Sequence, residues 1–106
     1  MKTLFSNTFL EEETLKKEGI NYPIELEYYK TRKEEIKEKP KFGINIIKKE
    51  YKEEGIKKEN KEIEELTSDE EEIEEILHTL KRNEVTPTGL VEALKEIICQ
   101  RYFSKL

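Results

Sequence analysis

The sequence predicts an α+β fold, in which an antiparallel sheet of three to four strands is covered on one face by a C-terminal αα-hairpin. Two observations predict it. Short segments within residues 1–66 alternate apolar and polar side chains with period two, and residues 67–106 carry two amphipathic helical patterns joined by a short connection. Strands followed by helices favour segregated layers. The 106 residues are expected to form one domain, mainly β over 1–66 and two helices over 67–106.

The N-terminal half carries the first strands. Apolar residues at 4, 5, 9 and 10 predict a first strand, followed by an acidic and lysine-rich run that ends at Gly19. Ile24, Leu26 and Tyr28 then alternate with polar neighbours and Tyr29, which predicts a second strand with one face in water. The polar run 30–41 fits either a long hairpin loop or extensions of the strands.

The most apolar alternation, Phe42-Gly43-Ile44-Asn45-Ile46, predicts the central strand. Gly43 would let a helix or an aromatic ring approach the backbone closely. Glu53-Glu54-Gly55 indicates a turn, after which residues 57–65 return as a strand. Lysines and glutamates are expected to pair across this hairpin.

The first helical pattern begins at 67–71, where Ser68 is predicted as the N-cap of a capping box with Glu71. Carboxylates in the first turn and the basic pair 81–82 at the end suit the helix dipole. The predicted buried stripe has the i, i+3, i+4, i+7 spacing and consists of Ile73, Ile76, Leu77 and Leu80.

The second helical pattern follows a connection of about four residues, in which Asn83 is predicted to be left-handed, and such short links join neighbouring helices. Thr86 is predicted as N-cap and Pro87 as the first helical residue. The second stripe is wider than the first, and we therefore expect it to be the more deeply buried. It consists of Leu90, Val91, Leu94, Ile97 and Ile98.

The composition favours a cytoplasmic protein without a membrane segment. Charged residues make up 42% of the chain, and the net charge is -5. Residues 67–106 hold 9 acids and 5 bases, which places most of the excess acidity on the helices. A single cysteine forms no internal disulfide. The chain shows neither an ordinary signal peptide nor the roughly 18 apolar residues of a membrane span.

The sequence shows no catalytic or metal-binding pattern, and we expect neither an enzyme nor a cofactor. His78, the one histidine, lies opposite the stripe of the first helix, and solvent exposure is the favoured interpretation. Cys99 lies off the second stripe near a helix C-terminus, where the dipole disfavours a reactive thiolate. One cysteine and one histidine make a transition-metal site improbable.

Two charged regions are candidates for binding a partner. The acidic run could imitate a phosphate backbone toward a basic protein, although a solvated helix start is the favoured interpretation; its candidate residues are Asp69, Glu70, Glu71, Glu74 and Glu75. Lysines near Tyr28, Tyr29 and Tyr51 could bind single-stranded nucleic acid, but interspersed glutamates weaken the field. Tyr102, Phe103 and Leu106 are expected to pack on the sheet, with a symmetric dimer contact as the alternative.

Three segments carry a resemblance to a known family. They are Phe42–Ile46, Leu66–Asp69 before the first helix, and Asn83–Pro87 with Leu90 beyond. In their order and spacing, the chain resembles the small uncharacterised Firmicutes proteins of domain of unknown function 6514 over roughly 22–98. The resemblance implies a compact sheet and helix pair in a Gram-positive host or its phage, and no activity. The chain departs from that pattern at 99–102, where an acidic helix end is expected.

These patterns lead to a prediction of function by class only. We expect a non-enzymatic cytoplasmic protein that binds another macromolecule, most simply a protein, as a monomer or symmetric homodimer. One alternative is a phage-encoded acidic inhibitor that blocks a nucleic-acid-binding protein through the run 69–75. The other is a weak binder of single-stranded nucleic acid.

Overall fold

A computed structural model describes residues 1–103, with side chains described as far as Gln100. It is an α+β structure in which a four-stranded antiparallel sheet is followed by two helices. The elements in chain order are β1 (Lys2–Phe9), α1 (Glu12–Lys17), β2 (Ile24–Lys33), β3 (Lys41–Lys52), β4 (Gly55–Thr67), α2 (Glu70–Arg82), a 3₁₀ turn (Pro87–Gly89) and α3 (Leu90–Phe103).

The sheet is a meander in which each strand pairs with its neighbour in the chain, in the order β1-β2-β3-β4. Tyr28 lies opposite Ile46, and Ile44 opposite Ile63, so the apolar residues of neighbouring strands share one face. The polar run after Lys30 belongs partly to the strands, because β2 continues to Lys33 and β3 begins at Lys41. Within the polar run, only residues 34–40, between these two strands, form a loop.

α1 is an element that the sequence interpretation missed. It has acids in its first turn and Lys16 and Lys17 in its last, followed by Gly19 at φ 77°. Its one buried residue is Leu15, which leaves too few apolar positions to show helical periodicity. The signal for a helix in the sequence was the order of the charges along residues 12–17, with acidic residues first and lysines last.

The core lies between the sheet and the C-terminal helices. All four predicted stripe residues of α2 are buried, at 0–5% exposure, against Leu26, Tyr28, Ile44 and Ile46. Tyr28 is fully buried, and its hydroxyl donates a hydrogen bond of 3.0 Å to the carbonyl oxygen of Val85. Burial raises the pKa of the Tyr28 phenol, so the phenol remains a neutral donor.

The expectation that the second helix is the more deeply buried is wrong. Leu90 and Leu94 of α3 are buried, but Val91 and Ile98 are 38% and 43% exposed. α2 contacts all four strands, whereas α3 reaches the core through one narrow side. The wide apolar stripe of α3 therefore lies partly on the surface.

The predicted boundaries at both ends of α2 need correction. Asp69, not Ser68, is the N-cap of α2, because its carboxylate accepts hydrogen bonds from the backbone N–H groups of Glu71 and Glu72 at 3.0 and 3.3 Å. At the other end Glu84, not Asn83, is left-handed, with φ 50°. Asn83 instead uses its side-chain amide to donate to the carbonyl oxygen of Thr79.

The left-handed Glu84 is part of a Schellman motif. The N–H of Glu84 donates to the carbonyl of Lys81, and the N–H of Val85 donates to that of Leu80, both at 3.0 Å. Val85 packs against the core cluster that contains Leu80. This motif reverses the chain so that Thr86, in an extended conformation, leads into Pro87 as predicted.

Gly43 does permit a close approach, but the neighbour is neither a helix nor an aromatic ring. A Cβ at this position would lie 2.6 Å from Thr31 Oγ1 and 2.8 Å from the Cα of Glu64. The register of β4 shifts opposite Gly43, and Glu65 takes φ 57° there. The glycine therefore makes room for a bulge in the edge strand.

Candidate functional site

Three of the five acidic residues predicted to bind a partner make contacts within the chain. Asp69 caps α2, while Glu70 and Glu74 bind Lys30 of β2 at 2.7 and 3.1 Å. Lys30 is only 17% exposed. The hydrogen bond to Glu70 contributes most to raising the pKa of Lys30, and the same bond lowers the pKa of Glu70. The start of α2 is thereby attached to the sheet.

Glu71 and Glu75, the other two predicted residues, are exposed on α2. Two of the five carboxylates, those of Glu70 and Glu74, thus share one partner in the sheet. A partly buried cation, the ammonium group of Lys30, compensates the charge on the side of α2 that faces β2, which weakens the expected field toward a basic partner.

The second candidate surface is the sheet face turned away from α2, here called the open face. Side chains alternate along each strand, so the partners of the core-facing residues project from the opposite side. The aromatic and aliphatic residues of the open face are Leu4, Phe9, Tyr29, Ile47, Tyr51 and Ile56. Its charged residues are Lys2, Glu25, Glu27, Lys49, Lys58 and Glu62.

The apolar residues of the open face are accessible. Leu4, Phe9 and Ile56 are 50%, 57% and 57% exposed, although all three lie within strands. The rings of Phe9 and Tyr51 stack with centroids 6.2 Å apart. Such a collection of large apolar side chains on one surface is a common feature of interaction sites.

A buried carboxylate organises one half of the open face. Glu25 is 8% exposed and accepts hydrogen bonds from Asn7 Nδ2 at 2.9 Å and from the Tyr51 hydroxyl at 2.7 Å. The bond from Asn7 is the largest cause of the lowered pKa of Glu25, followed by the bond from Tyr51. Beside it, Lys49 binds Glu27 at 3.0 Å. The expectation that this face of β2 lies in water is therefore wrong at Glu25, because Asn7 and Tyr51 cover its carboxylate.

The other half of the open face is organised by Asn45, which is 1% exposed. Its side-chain oxygen accepts a hydrogen bond of 3.1 Å from Lys2 Nζ, and its amide donates to Asn60 Oδ1 and to the carbonyl of Lys61. Lys2 also lies 4.6 Å above the ring of Tyr29. Polar contacts thus hold the side chains of β1, β2, β3 and β4 in place without a covering helix.

A second buried glutamate that accepts a hydrogen bond from a tyrosine lies on the opposite face of the sheet. Glu50 is 6% exposed and accepts a 2.6 Å hydrogen bond from the Tyr22 hydroxyl, with Lys48 and Lys52 each 3.8 Å away. The bond from Tyr22 is the main cause of the lowered pKa of Glu50. These two buried glutamates were missed from the sequence, because each alternates regularly within a charged strand.

The single histidine and the single cysteine were the other candidates for a chemical role. Both residues are exposed, and the ring of His78 meets Phe5 edge-on with centroids 4.8 Å apart. Within residues 1–100, no group of three or more His, Cys, Asp or Glu side chains could hold a metal ion. No helix in the described part of the chain is long and apolar enough to cross a membrane.

The structure separates the residues proposed for nucleic-acid stacking. Tyr28 is in the core, and only Tyr29 and Tyr51 lie on the open face. Lys49 binds a glutamate, and Glu25 and Glu27 lie between these two tyrosines along the paired strands. The predicted packing of Tyr102, Phe103 and Leu106 concerns side chains outside the described residues.

Comparison with known proteins extends the resemblance at its N-terminal side. The model of a family described as a family of unknown function (DUF6514) matches residues 1–100, which include β1 and α1 as well as the segments recognised in the sequence. No curated protein and no solved structure matches the chain.

Proposed function

The chain belongs to DUF6514, a family of unknown function, and from that starting point we propose that it is a non-enzymatic cytoplasmic protein that binds another protein through the open face of its sheet. The observation that carries the proposal is the exposure of Leu4, Phe9 and Ile56 on a face whose polar side chains are already fixed by mutual hydrogen bonds. A preorganised surface loses little conformational entropy on binding.

The charge of the open face favours a protein over a nucleic acid. The face carries charges of both signs, and Lys49 and Glu27 bind each other. Nucleic-acid binding depends on uncompensated cations that neutralise phosphates. A mixed-charge face with exposed aromatic and aliphatic groups instead suits a protein partner, whose rim can supply complementary charges.

The acidic-inhibitor alternative has weaker support. Asp69 caps α2, and the ammonium group of Lys30 compensates part of the negative charge of Glu70 and Glu74. A mimic of a phosphate backbone needs an extended row of accessible negative charge. This alternative and the open-face proposal place the partner on different surfaces, and one experiment can distinguish them.

Site-specific photocrosslinking in cells of the source organism provides the test. A photoreactive phenylalanine replaces Leu4 or Phe9 on the open face, Glu71 on α2, or Ile36 in the β2–β3 loop. Ile36 is 90% exposed and is the matched control for non-specific capture. The proposal expects the same protein adduct from positions 4 and 9 and not from position 36, and its loss when Phe9→Lys is added to the Leu4 probe.

Three outcomes would overturn the proposal. An adduct from position 71 alone would favour the acidic inhibitor, and an adduct that nuclease removes would favour nucleic acid. Equal labelling from positions 4, 9 and 36 would show that the open face is not selective.

A further inference from the structure

Within the described residues, no other strand pairs with the outer edge of β4. β4 runs for 13 residues at the end of the sheet, and between Gly55 and the irregularity near Glu65 it pairs continuously with β3 on its other side. An edge strand presents unpaired N–H and C=O groups that can pair with another strand. Residues 57–62 are predominantly charged, so a strand that pairs with this edge must carry complementary charges.

The direction of the outward backbone groups follows from the hydrogen bonds of β3. The N–H of Tyr51 donates to the carbonyl of Pro23 on the β2 side, so Glu50 and Lys52 direct their backbone groups toward β4. Their partners Lys57 and Gly55 point back toward β3. Alternation then directs the N–H and C=O groups of residues 56, 58, 60 and 62 outward.

We propose that two copies of this chain form a symmetric dimer by antiparallel pairing of their β4 edges, with the two-fold axis at Asn60. In an antiparallel ladder, outward-facing residues pair only with outward-facing residues. A symmetric register therefore always sets one residue opposite its own copy. A two-fold axis at Lys58, Glu59, Lys61 or Glu62 would place two like charges opposite each other. Within residues 57–62, Asn60 is the uncharged position.

The axis at Asn60 also matches the remaining charges. Lys58 then lies opposite Glu62 of the second copy, and Glu59 lies opposite Lys61 of the second copy. The first pair is on the open face and the second on the side of the helices, because successive side chains alternate. Each pair occurs twice by symmetry, and no like charges meet within residues 58–62. The segment Lys-Glu-Asn-Lys-Glu is thus complementary to itself when reversed.

A second observation places apolar surface beside the same axis. A shallow depression next to Asn60 is formed by the edge of β4 and the 3₁₀ turn, and Val91 at the start of α3 lines it. Val91 is 38% exposed. A two-fold axis perpendicular to the sheet brings both copies of this depression together and leaves both open faces on one side. The dimer would place two open faces side by side. The dimer proposal does not depend on the proposed function.

Charge exchange tests the register directly. Lys58→Glu would set two carboxylates opposite each other at each symmetric pair, and Glu62→Lys would set two ammonium groups there. We expect either single variant to weaken association by roughly ten- to a hundredfold, because two attractive pairs become repulsive. The double variant Lys58→Glu/Glu62→Lys restores both pairs, and an equimolar mixture of the two single variants forms a heterodimer.

The measurement is sedimentation velocity of the full chain from about 10 μM to about 1 mM, since an edge-to-edge interface is small and its Kd is expected in this range. Lys95→Glu on α3 is the matched control, because Lys95 is exposed and lies outside β4. Circular dichroism and thermal unfolding at low concentration verify that each variant folds.

The expected result is a species of twice the 12.7 kDa chain mass for the unchanged chain, the double variant and the mixture, but not for either single variant alone. A wild-type chain that stays monomeric at every concentration would overturn the proposal. So would a dimer that persists equally in both single variants, because its interface would then lie elsewhere. Neither result would affect the crosslinks expected from Leu4 and Phe9.

Discussion

Replacing Gly43 with alanine is expected to destabilise the sheet strongly, although the change adds only one methyl group. The new Cβ would lie 2.6 Å from Thr31 Oγ1 and 2.8 Å from the Cα of Glu64, both well inside van der Waals contact. One of these neighbours is backbone of β4 and the other is a side chain that is 8% exposed. The backbone of β4 cannot move without disturbing the strand pairing.

The cost of Gly43→Ala follows from this crowding. Overpacking a well-packed site costs about 1–3 kcal/mol, and we expect the upper end because a strand backbone must shift. About 3 kcal/mol is a large part of the roughly 5–15 kcal/mol that stabilises a small domain. The midpoint of thermal unfolding should fall by roughly 12–20 °C.

Thermal and urea unfolding followed by circular dichroism measure the effect. Gly89→Ala is the matched control, because its Cβ would meet Thr86 Oγ1 at 3.7 Å, an ordinary contact, and it should change stability by less than about 0.5 kcal/mol. Adding Thr31→Ala to Gly43→Ala should recover little, since the β4 backbone remains in the way. A Gly43→Ala protein as stable as wild type, or full recovery in the double variant, would refute this explanation.

Three further predictions concern stability. Glu84→Gly should stabilise the protein by about 1 kcal/mol, because glycine adopts the left-handed conformation without strain; unchanged urea unfolding would contradict this. Side-chain hydrogen bonds hold the pKa values of Glu25 and Glu50 below normal, so their stabilisation is present above the unfolded pKa near ~4.3 and is lost as the pH falls through the lower folded values. The double variant Glu25→Gln/Glu50→Gln should therefore show a flatter loss of stability below about pH 5, and an unchanged acid-unfolding curve would argue against it. Tyr28→Phe should cost about 1 kcal/mol through loss of its hydrogen bond to the carbonyl of Val85, as measured by urea unfolding, and a neutral effect would mean that water replaces the donor.

The regular parts of the fold were predictable because their apolar residues repeat. The alternation from Ile24 to Tyr28, the central strand and the stripe of α2 all appear in the core. α1 escaped prediction because one buried leucine shows no period. The N-cap of α2 was misplaced by one residue, since neighbouring Ser68 and Asp69 are both residue types that favour the N-cap position.

The candidate site was less predictable than the fold. The acidic run was visible in the sequence, but its pairing with Lys30 depends on a contact between residues 40 positions apart. The burial of Glu25, Glu50 and Asn45 likewise depends on contacts between residues that are distant in the sequence, with Tyr51, Tyr22 and Asn60 respectively. A local pattern of alternating charge gives no indication of which carboxylate will be covered.

The meander order of the sheet has a consequence for how quickly the protein can assemble. Every strand hydrogen-bonds to the strand that precedes or follows it in the chain, so each pairing closes a comparatively short loop. Topologies dominated by such local contacts reach the native state faster than sheets built from distant segments. We therefore expect the hairpins of the sheet to form one after another along the chain.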